Sequence, residues 1–135
     1  MSDEETNKAA VRRYFDEVYV HGNSEFVREV FVPGSLLAGA DESSARTIHH
    51  AFSDIQVTIE DLIAEGDKVA GRVTYTATHS GPFLGYPATG KLAVLTALYL
   101  FTFADGRVRT MIAEANFYGL LVNLGLLPTP GAQET

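Results

Sequence analysis

The chain has 135 residues, of which 46% are hydrophobic and 20% are charged, as in an ordinary globular protein with one hydrophobic core. Its net charge of −7 argues against binding to nucleic acids or anionic membranes, because both need clustered Lys and Arg side chains. No cysteine, signal peptide or long apolar run is present, so we expect a cytoplasmic protein without disulfides, thiolate chemistry or a membrane span.

The first part of the chain has apolar residues at spacings of three and four, which predicts helices. The first helix is predicted over residues 3–20. A short helix follows over 24–31, with Ser24 as a suitable N-cap. Residues 35–41 show no clear pattern, and a third helix is predicted over 43–52.

After the third helix the pattern alternates between apolar and polar residues, which predicts strands. The predicted elements are a strand from Ile55 to a hairpin turn at Glu65-Gly66-Asp67, strands over 69–79, 91–103 and 107–116, a Gly/Pro-rich loop over 80–90, and a closing helical turn over 117–124. Helices and strands occupy separate parts of the chain, which indicates an α+β fold. We expect one domain over residues 1–135, with a polar tail from about residue 129.

The predicted third strand, Leu92 to Phe103, is apolar at positions of both parities, so both of its faces should be covered. One face can meet the helices, and the other can meet a partner chain. A curved antiparallel sheet wrapped on N-terminal helices leaves an internal apolar cavity, which is a natural site for a hydrophobic small molecule.

Six short stretches carry a family resemblance. They are Ile63–Val69, Arg72, Thr78–Gly85, Ala88–Lys91, Phe103–Val108 and Leu120–Gly125. In this order and spacing the chain resembles the SnoaL-like polyketide cyclases, a branch of the nuclear transport factor 2-like fold, over about residues 8–127. The resemblance implies a cone-shaped α+β barrel and an enzyme of natural-product or antibiotic biosynthesis, of the lyase or isomerase type. It also implies a polyketide-like substrate, no cofactor and a homodimer.

Asn116 is the main departure from the family pattern. Such cyclases carry an acid–base Asp at this position, and an amide cannot exchange a proton at neutral pH. Glu114 lies two residues earlier, on the same strand face as Asn116 and Ile112. If that face lines the cavity, Glu114 is the leading candidate acid or base; otherwise it lies at the rim in water.

Two further side chains are candidates for catalysis. His79, at the start of the Gly/Pro loop, can shuttle a proton or hydrogen-bond a substrate carbonyl, or it can cap the loop by bonding the backbone. Tyr14 resembles the oxyanion-binding tyrosine of ketosteroid isomerases, but it can equally be a core aromatic residue. Those isomerases also need a carboxylate base, and residues 31–40 contain no Asp or Glu, which argues against isomerase chemistry of that kind.

The apolar and aromatic residues of the strands and loop predict the substrate pocket. The candidate substrate-binding residues are Tyr75, Phe83, Leu84, Tyr99, Ile112, Phe117 and Leu121. No metal site is expected, because His49 and His50 are adjacent on a helix and point about 100° apart, without further ligands at suitable spacing.

Three functions therefore compete. The first is a cyclase that folds a hydrophobic polyketide-like substrate into a reactive shape, for example for a pericyclic Diels–Alder closure. The second is an acid–base isomerase, hydroxylase or aldol cyclase that uses Glu114 and His79. The third is a non-catalytic small-molecule-binding or dimerisation module.

Overall fold

The structure is a computed structural model, and it describes residues 2–129 and 131. Its elements are α1 (Asp3–Phe15), a π-helical segment (Asp16–Val20), a 3-10 turn (Ser24–Phe26), α2 (Val27–Val30), α3 (Leu36–Ala51), β1 (Phe52–Glu65), β2 (Lys68–His79), β3 (Leu92–Ala104), β4 (Arg107–Ala115) and α4 (Phe117–Asn123). The helices precede the sheet except for α4, which confirms the predicted α+β class.

The first helix begins where the sequence predicts. The Ser2 side chain accepts a hydrogen bond from the Glu5 backbone N–H at 3.1 Å, and acidic residues occupy the first turn. Both features satisfy the positive end of the helix dipole. After Phe15 the predicted helix over 3–20 continues as the π-helical segment. Both segments bury residues, for example Tyr14 and Phe15 in α1 and Val18 and Tyr19 in the π-helical segment.

Helix α3 begins at Leu36, well before the predicted start at residue 43. The Ser35 hydroxyl group caps it by accepting a hydrogen bond from the Ala38 N–H at 3.1 Å. The early turns bury Ala38, Asp41 and Glu42, and such small or charged residues do not produce an apolar pattern. This is why residues 35–41 are unclear in the sequence.

The four strands form one antiparallel sheet in the order β1-β2-β3-β4. Register shifts occur in β1 after Ser53 and after Ile59, and in the β3–β4 pair after Thr102. Such bulges bend a sheet and increase its twist. The sheet therefore curves around the helices, and Asp61 is turned to the outer face, where it accepts a 2.7 Å hydrogen bond from Arg72.

The hydrophobic core lies between the concave face of the sheet and the first helix. Tyr14 and Phe15 are 0% and 1% exposed, and their rings each lie about 6 Å from the Phe101 ring, in edge-on contact. Val69 and Val73 of β2 are fully buried in the same cluster. Burying one such side chain stabilises the fold by roughly 1.5–3 kcal/mol, so this layer fixes the first helix on the sheet.

None of the helices within residues 2–129 and 131 is long and apolar enough to cross a membrane. The assignment of residues 1–135 to one domain stays a prediction. Most of the predicted polar tail, namely Pro130 and residues 132–135, lies outside the described residues.

Candidate functional site

A cavity of about 510 Å³ lies between the concave face of the sheet and helices α3 and α4. Most of its wall is apolar. The lining residues are Tyr19, Asp41, Ser43, Ser44, Thr47, Ile48, Phe52, Ile55, Tyr75, Ala77, Phe83, Leu84, Ala93, Leu95, Tyr99, Met111, Ala113, Ala115, Phe117 and Leu120. Its size and character are typical of a small-molecule site.

The last strand presents its odd-numbered residues to the cavity. Met111, Ala113 and Ala115 line the wall, whereas Ile112 is 59% exposed and Glu114 is also exposed. Adjacent strand residues point to opposite faces, so Glu114 and Ile112 lie on the outer face. Of the two alternatives for Glu114, the structure shows the solvent-exposed one, and Ile112, predicted as a substrate-binding residue, does not line the cavity. The register, with Tyr99 opposite Ala113, puts the small alanines inside.

Asn116 stands at the junction between β4 and α4, where its side chain is the N-cap of the closing helix. Its Oδ1 accepts a hydrogen bond from the Gly119 N–H at 2.9 Å. The side chain is exposed and is not among the lining residues of the cavity. Asn116 therefore caps α4 at the position where the resemblance implies an acid–base Asp.

His79 is 0% exposed and lies behind the cavity wall against the Phe52 ring. Its Nδ1 accepts a hydrogen bond from the Thr89 backbone N–H at 3.2 Å. The ring proton is therefore on Nε2, which has no hydrogen-bond partner within the described part of the chain. Of the two roles considered for His79, the contacts show loop capping, and they do not bring it together with Glu114.

The rim of the cavity is aromatic and apolar. Phe83 packs between Phe52 and Phe117, with ring centroids 5.1 and 6.1 Å apart. Leu84 and Phe117 line the cavity but remain 61% and 40% exposed, as expected at an entrance. Leu121, also predicted as a substrate-binding residue, does not line the cavity, and the neighbouring Leu120 of α4 does so instead.

The cavity wall contains one carboxyl group, that of Asp41, among the residues described. Its Oδ2 accepts a hydrogen bond from the Tyr14 hydroxyl group at 2.6 Å. Asp41 is only 7% exposed, and burial raises its pKa, although the Tyr14 hydrogen bond acts in the opposite direction. Asp41 lies one residue beyond the stretch 31–40, which contains no Asp or Glu. The sequence signal that could have revealed Asp41 is Ser35 as an N-cap, because a helix that begins there buries positions of its first two turns, including residue 41.

Three more tyrosines line the same cavity as Asp41, and we call the set of Tyr14, Tyr19, Asp41, Tyr75 and Tyr99 the tyrosine–aspartate cluster. The Tyr75 and Tyr99 hydroxyl groups share a short hydrogen bond. Burial raises the pKa of Tyr99 to about 12 and raises the pKa of the other three tyrosines. All four phenols thus keep their protons at neutral pH and serve as hydrogen-bond donors.

No group of three or more His, Asp or Glu side chains in the described residues is placed to hold a metal ion. His49 uses its Nε2 for a 2.7 Å contact with the Val18 carbonyl oxygen. Its neighbour His50 does not line the main cavity. His49 thus packs α3 against the π-helical segment, whereas His50 is exposed.

The fold and site together define a curved-sheet α+β barrel with an internal small-molecule cavity. The chain belongs to the SnoaL-like polyketide cyclase family, whose sequence model matches residues 4–124. Membership supports an enzymatic role of the cyclase type. No curated protein matches the sequence significantly.

Several solved structures are similar to this chain. A protein from Jannaschia sp. CCS1, provisionally described as a SnoaL-like polyketide cyclase, is 25% identical with a TM-score of 0.81, covering 95% of this chain and 97% of its own. TsrD from Streptomyces laurentii is 25% identical with a TM-score of 0.78, and the shares covered are 88% and 97%. AclR from Streptomyces galilaeus, provisionally described as a hydroxylase, is 26% identical with a TM-score of 0.82, with 93% and 89% covered.

Proposed function

We propose that the protein is a biosynthetic cyclase that closes a ring in a hydrophobic polyketide-like substrate held folded in the cavity. The observation that carries this proposal is the cavity of about 510 Å³, which has a mostly apolar wall and a hydrogen-bond donor at the Tyr75–Tyr99 pair. Apolar walls bind a hydrocarbon chain through burial. Holding its reacting ends together supplies much of the barrier reduction for ring closure.

The Tyr75–Tyr99 pair supports binding of a carbonyl group. Two hydroxyl groups that share one hydrogen bond use only one of their two protons. The other proton is free to bond a ligand oxygen, since no other acceptor contacts either hydroxyl group within the described residues. A pericyclic closure of the Diels–Alder type needs only such polarisation and a folded substrate.

A synthetic linear chain with a conjugated diene and an α,β-unsaturated ketone tests the proposal. The purified protein is expected to convert it into a cyclic isomer of unchanged mass, followed by liquid chromatography with mass detection. Ala113→Phe fills the cavity and is expected to lower turnover at least about tenfold, whereas Ala113→Ser should retain it. Turnover that survives in Ala113→Phe at the wild-type rate, or a wild-type protein that binds the chain without converting it, contradicts the proposal; the latter result supports a binding module.

The acid–base alternative is an isomerase, hydroxylase or aldol cyclase that uses Glu114 and His79 as its acid–base pair. The positions of these two side chains do not support that role. Neither residue lines the cavity, because Glu114 is exposed on the outer face of β4 and His79 is buried behind the wall. Glu114→Gln is therefore expected to leave the rate and its pH dependence unchanged on any substrate. A rate that falls in this variant at all pH values restores Glu114 as a candidate.

We also propose that two copies pair through the outer face of β3 and β4. Leu98 and Ile112 on this face are 57% and 59% exposed, which is unusual for large side chains on neighbouring strands. Sedimentation velocity should show a dimer for the wild type and a monomer for Ile112→Lys. Thr58→Lys, on the outer face of β1, is the matched control and should remain dimeric, whereas a monomeric wild type contradicts the proposal.

The cytoplasmic location stays a prediction from the sequence.

A further inference from the structure

The carboxyl group of Asp41 is placed differently from every other carboxyl group of the described chain. It lines the cavity and is almost fully buried, yet its only hydrogen-bond donor within residues 2–129 and 131 is the Tyr14 hydroxyl group. Glu42, the next residue, is also buried, but it is held by both Arg28 and Arg46. Asp41 has no such cation, and Oδ1 carries no hydrogen bond from the described residues.

The surroundings of Asp41 leave it able to change its protonation state. The titratable groups that face it are Tyr14 from α1, Tyr19 from the π-helical segment, Tyr75 from β2 and Tyr99 from β3. All four are neutral phenols at pH 7, so none of these four groups is a cation that fixes the carboxylate. Burial raises the pKa of Asp41 toward the working pH, where a carboxyl group is an effective base or acid.

We propose that Asp41 is the proton-exchanging residue of the cavity and that Tyr14 is its positioning residue. This inference rests on the proposed ring closure and specifies an aldol route for it in place of a pericyclic one, because it assigns the acid–base task to α3 when Asn116 at the end of β4 cannot perform it. The Tyr14 hydrogen bond occupies Oδ2 and leaves Oδ1 as the atom that accepts the proton. The one free hydroxyl proton of the Tyr75–Tyr99 pair, on the facing strands, is the oxyanion donor.

The proton transfer balances within one bound molecule. Oδ1 of the ionised carboxylate takes a proton from a carbon next to a ketone, and the C–H electron pair forms the enolate double bond. The ketone oxygen becomes an oxyanion that accepts a tyrosine hydrogen bond. The enolate carbon then attacks a second carbonyl carbon of the same chain. The first ketone is restored, the second carbonyl oxygen becomes an alkoxide, and this alkoxide takes the proton back from Asp41, so the product is an isomer and no oxidant or reductant is needed.

A compact aromatic carbon acid, 5-nitrobenzisoxazole, tests this base without the natural substrate. Loss of its ring C–H proton to Asp41 forms a nitrile and breaks the N–O bond, which releases a coloured phenolate. The wild-type chain is expected to exceed the rate with an equal concentration of acetate at least about a hundredfold. Asp41→Asn should lose that excess, and Asp61→Asn, on the outer face, is the matched control that should retain it.

The positioning role of Tyr14 has its own readout. Its hydrogen bond favours the ionised carboxylate, so Tyr14→Phe should move the midpoint of the pH–rate profile with this probe to higher pH. A merely structural role lowers the rate without moving the midpoint. If Asp41→Asn does not fold, the wild-type profile still decides, because a rate that does not rise with pH through a single ionisation contradicts the proposal.

The outcomes separate the two proposals. Rapid base catalysis of 5-nitrobenzisoxazole that needs Asp41, together with no cyclisation of the linear chain, overturns the proposed function and supports Asp41 as the base. Cyclisation of the linear chain by the wild-type protein, together with no excess rate of the wild-type protein on the probe, overturns the role of Asp41 and supports closure by substrate folding alone.

Discussion

The Tyr14 hydroxyl group donates a 2.6 Å hydrogen bond to Oδ2 of Asp41 and so joins α1 to α3 across 27 residues of sequence. Tyr14 is fully buried, whereas Asp41 lines the cavity. The bond therefore connects the core of the protein to its candidate site. It also sets the orientation of the one carboxyl group that the described cavity wall contains.

The pH dependence of stability should report on Asp41. Since burial raises its pKa, the folded chain binds this proton more tightly than the unfolded chain does. The resulting stabilisation is complete below the unfolded value of about 3.9 and is lost as the pH rises through the folded value. Urea unfolding at several pH values should show this loss in the wild type and not in Asp41→Asn. The loss should persist in Asp61→Asn, and an identical profile for all three contradicts the assignment.

Removal of the Tyr14 hydroxyl group should destabilise the fold. Tyr14→Phe keeps the ring in the aromatic core but leaves the buried Asp41 without its donor, at an expected cost of about 1–3 kcal/mol at pH 7. Chemical denaturation followed by circular dichroism measures this change in the free energy of unfolding. The exposed Tyr118 hydroxyl group donates to the Pro128 carbonyl at 3.2 Å, and Tyr118→Phe should change stability by less than about 0.5 kcal/mol. Equal effects of both variants would show that the Tyr14 bond is not special.

The cap of α4 should depend on the Asn116 side-chain oxygen. Asn116→Ala removes the acceptor of the Gly119 N–H and should cost about 0.5–2 kcal/mol. Asn116→Asp restores the family's residue and keeps the acceptor, so its thermal midpoint should stay close to that of the wild type. If the Asp variant is as unstable as the Ala variant, the cap does not explain this position.

Gly81 should be intolerant of any side chain. A Cβ atom there would lie 2.2 Å from the His50 carbonyl oxygen, and the Gly81 N–H donates to the neighbouring Ala51 carbonyl at 2.9 Å. Gly81→Ala should therefore cost about 1–3 kcal/mol. Gly39 lies in α3 with open space around it, and Gly39→Ala should stabilise the chain by roughly 0.5–1 kcal/mol. Thermal unfolding of both variants gives their midpoints, and equal shifts of the two midpoints would contradict the close packing at Gly81.

The sequence by itself determined the α+β class, the order of the elements and the apolar character of the pocket. These follow from local information: helical spacing up to Val20, alternation from Ile55, and the turn residues between strands. Tyr75, Phe83 and Tyr99 line the pocket as predicted, because large aromatic side chains on strands and rim loops are usually buried on the inner face of a sheet.

Only the tertiary structure decided which face of β4 is internal and which carboxyl group reaches the cavity. Alternation shows that Glu114 and Ala113 point in opposite directions but not which of them points inward, because that depends on the register with β3 and its bulge after Thr102. The position of Asp41 depends on the docking of α3 against α1. The contact with Tyr14 joins residues far apart in the chain, and no local pattern records such a contact.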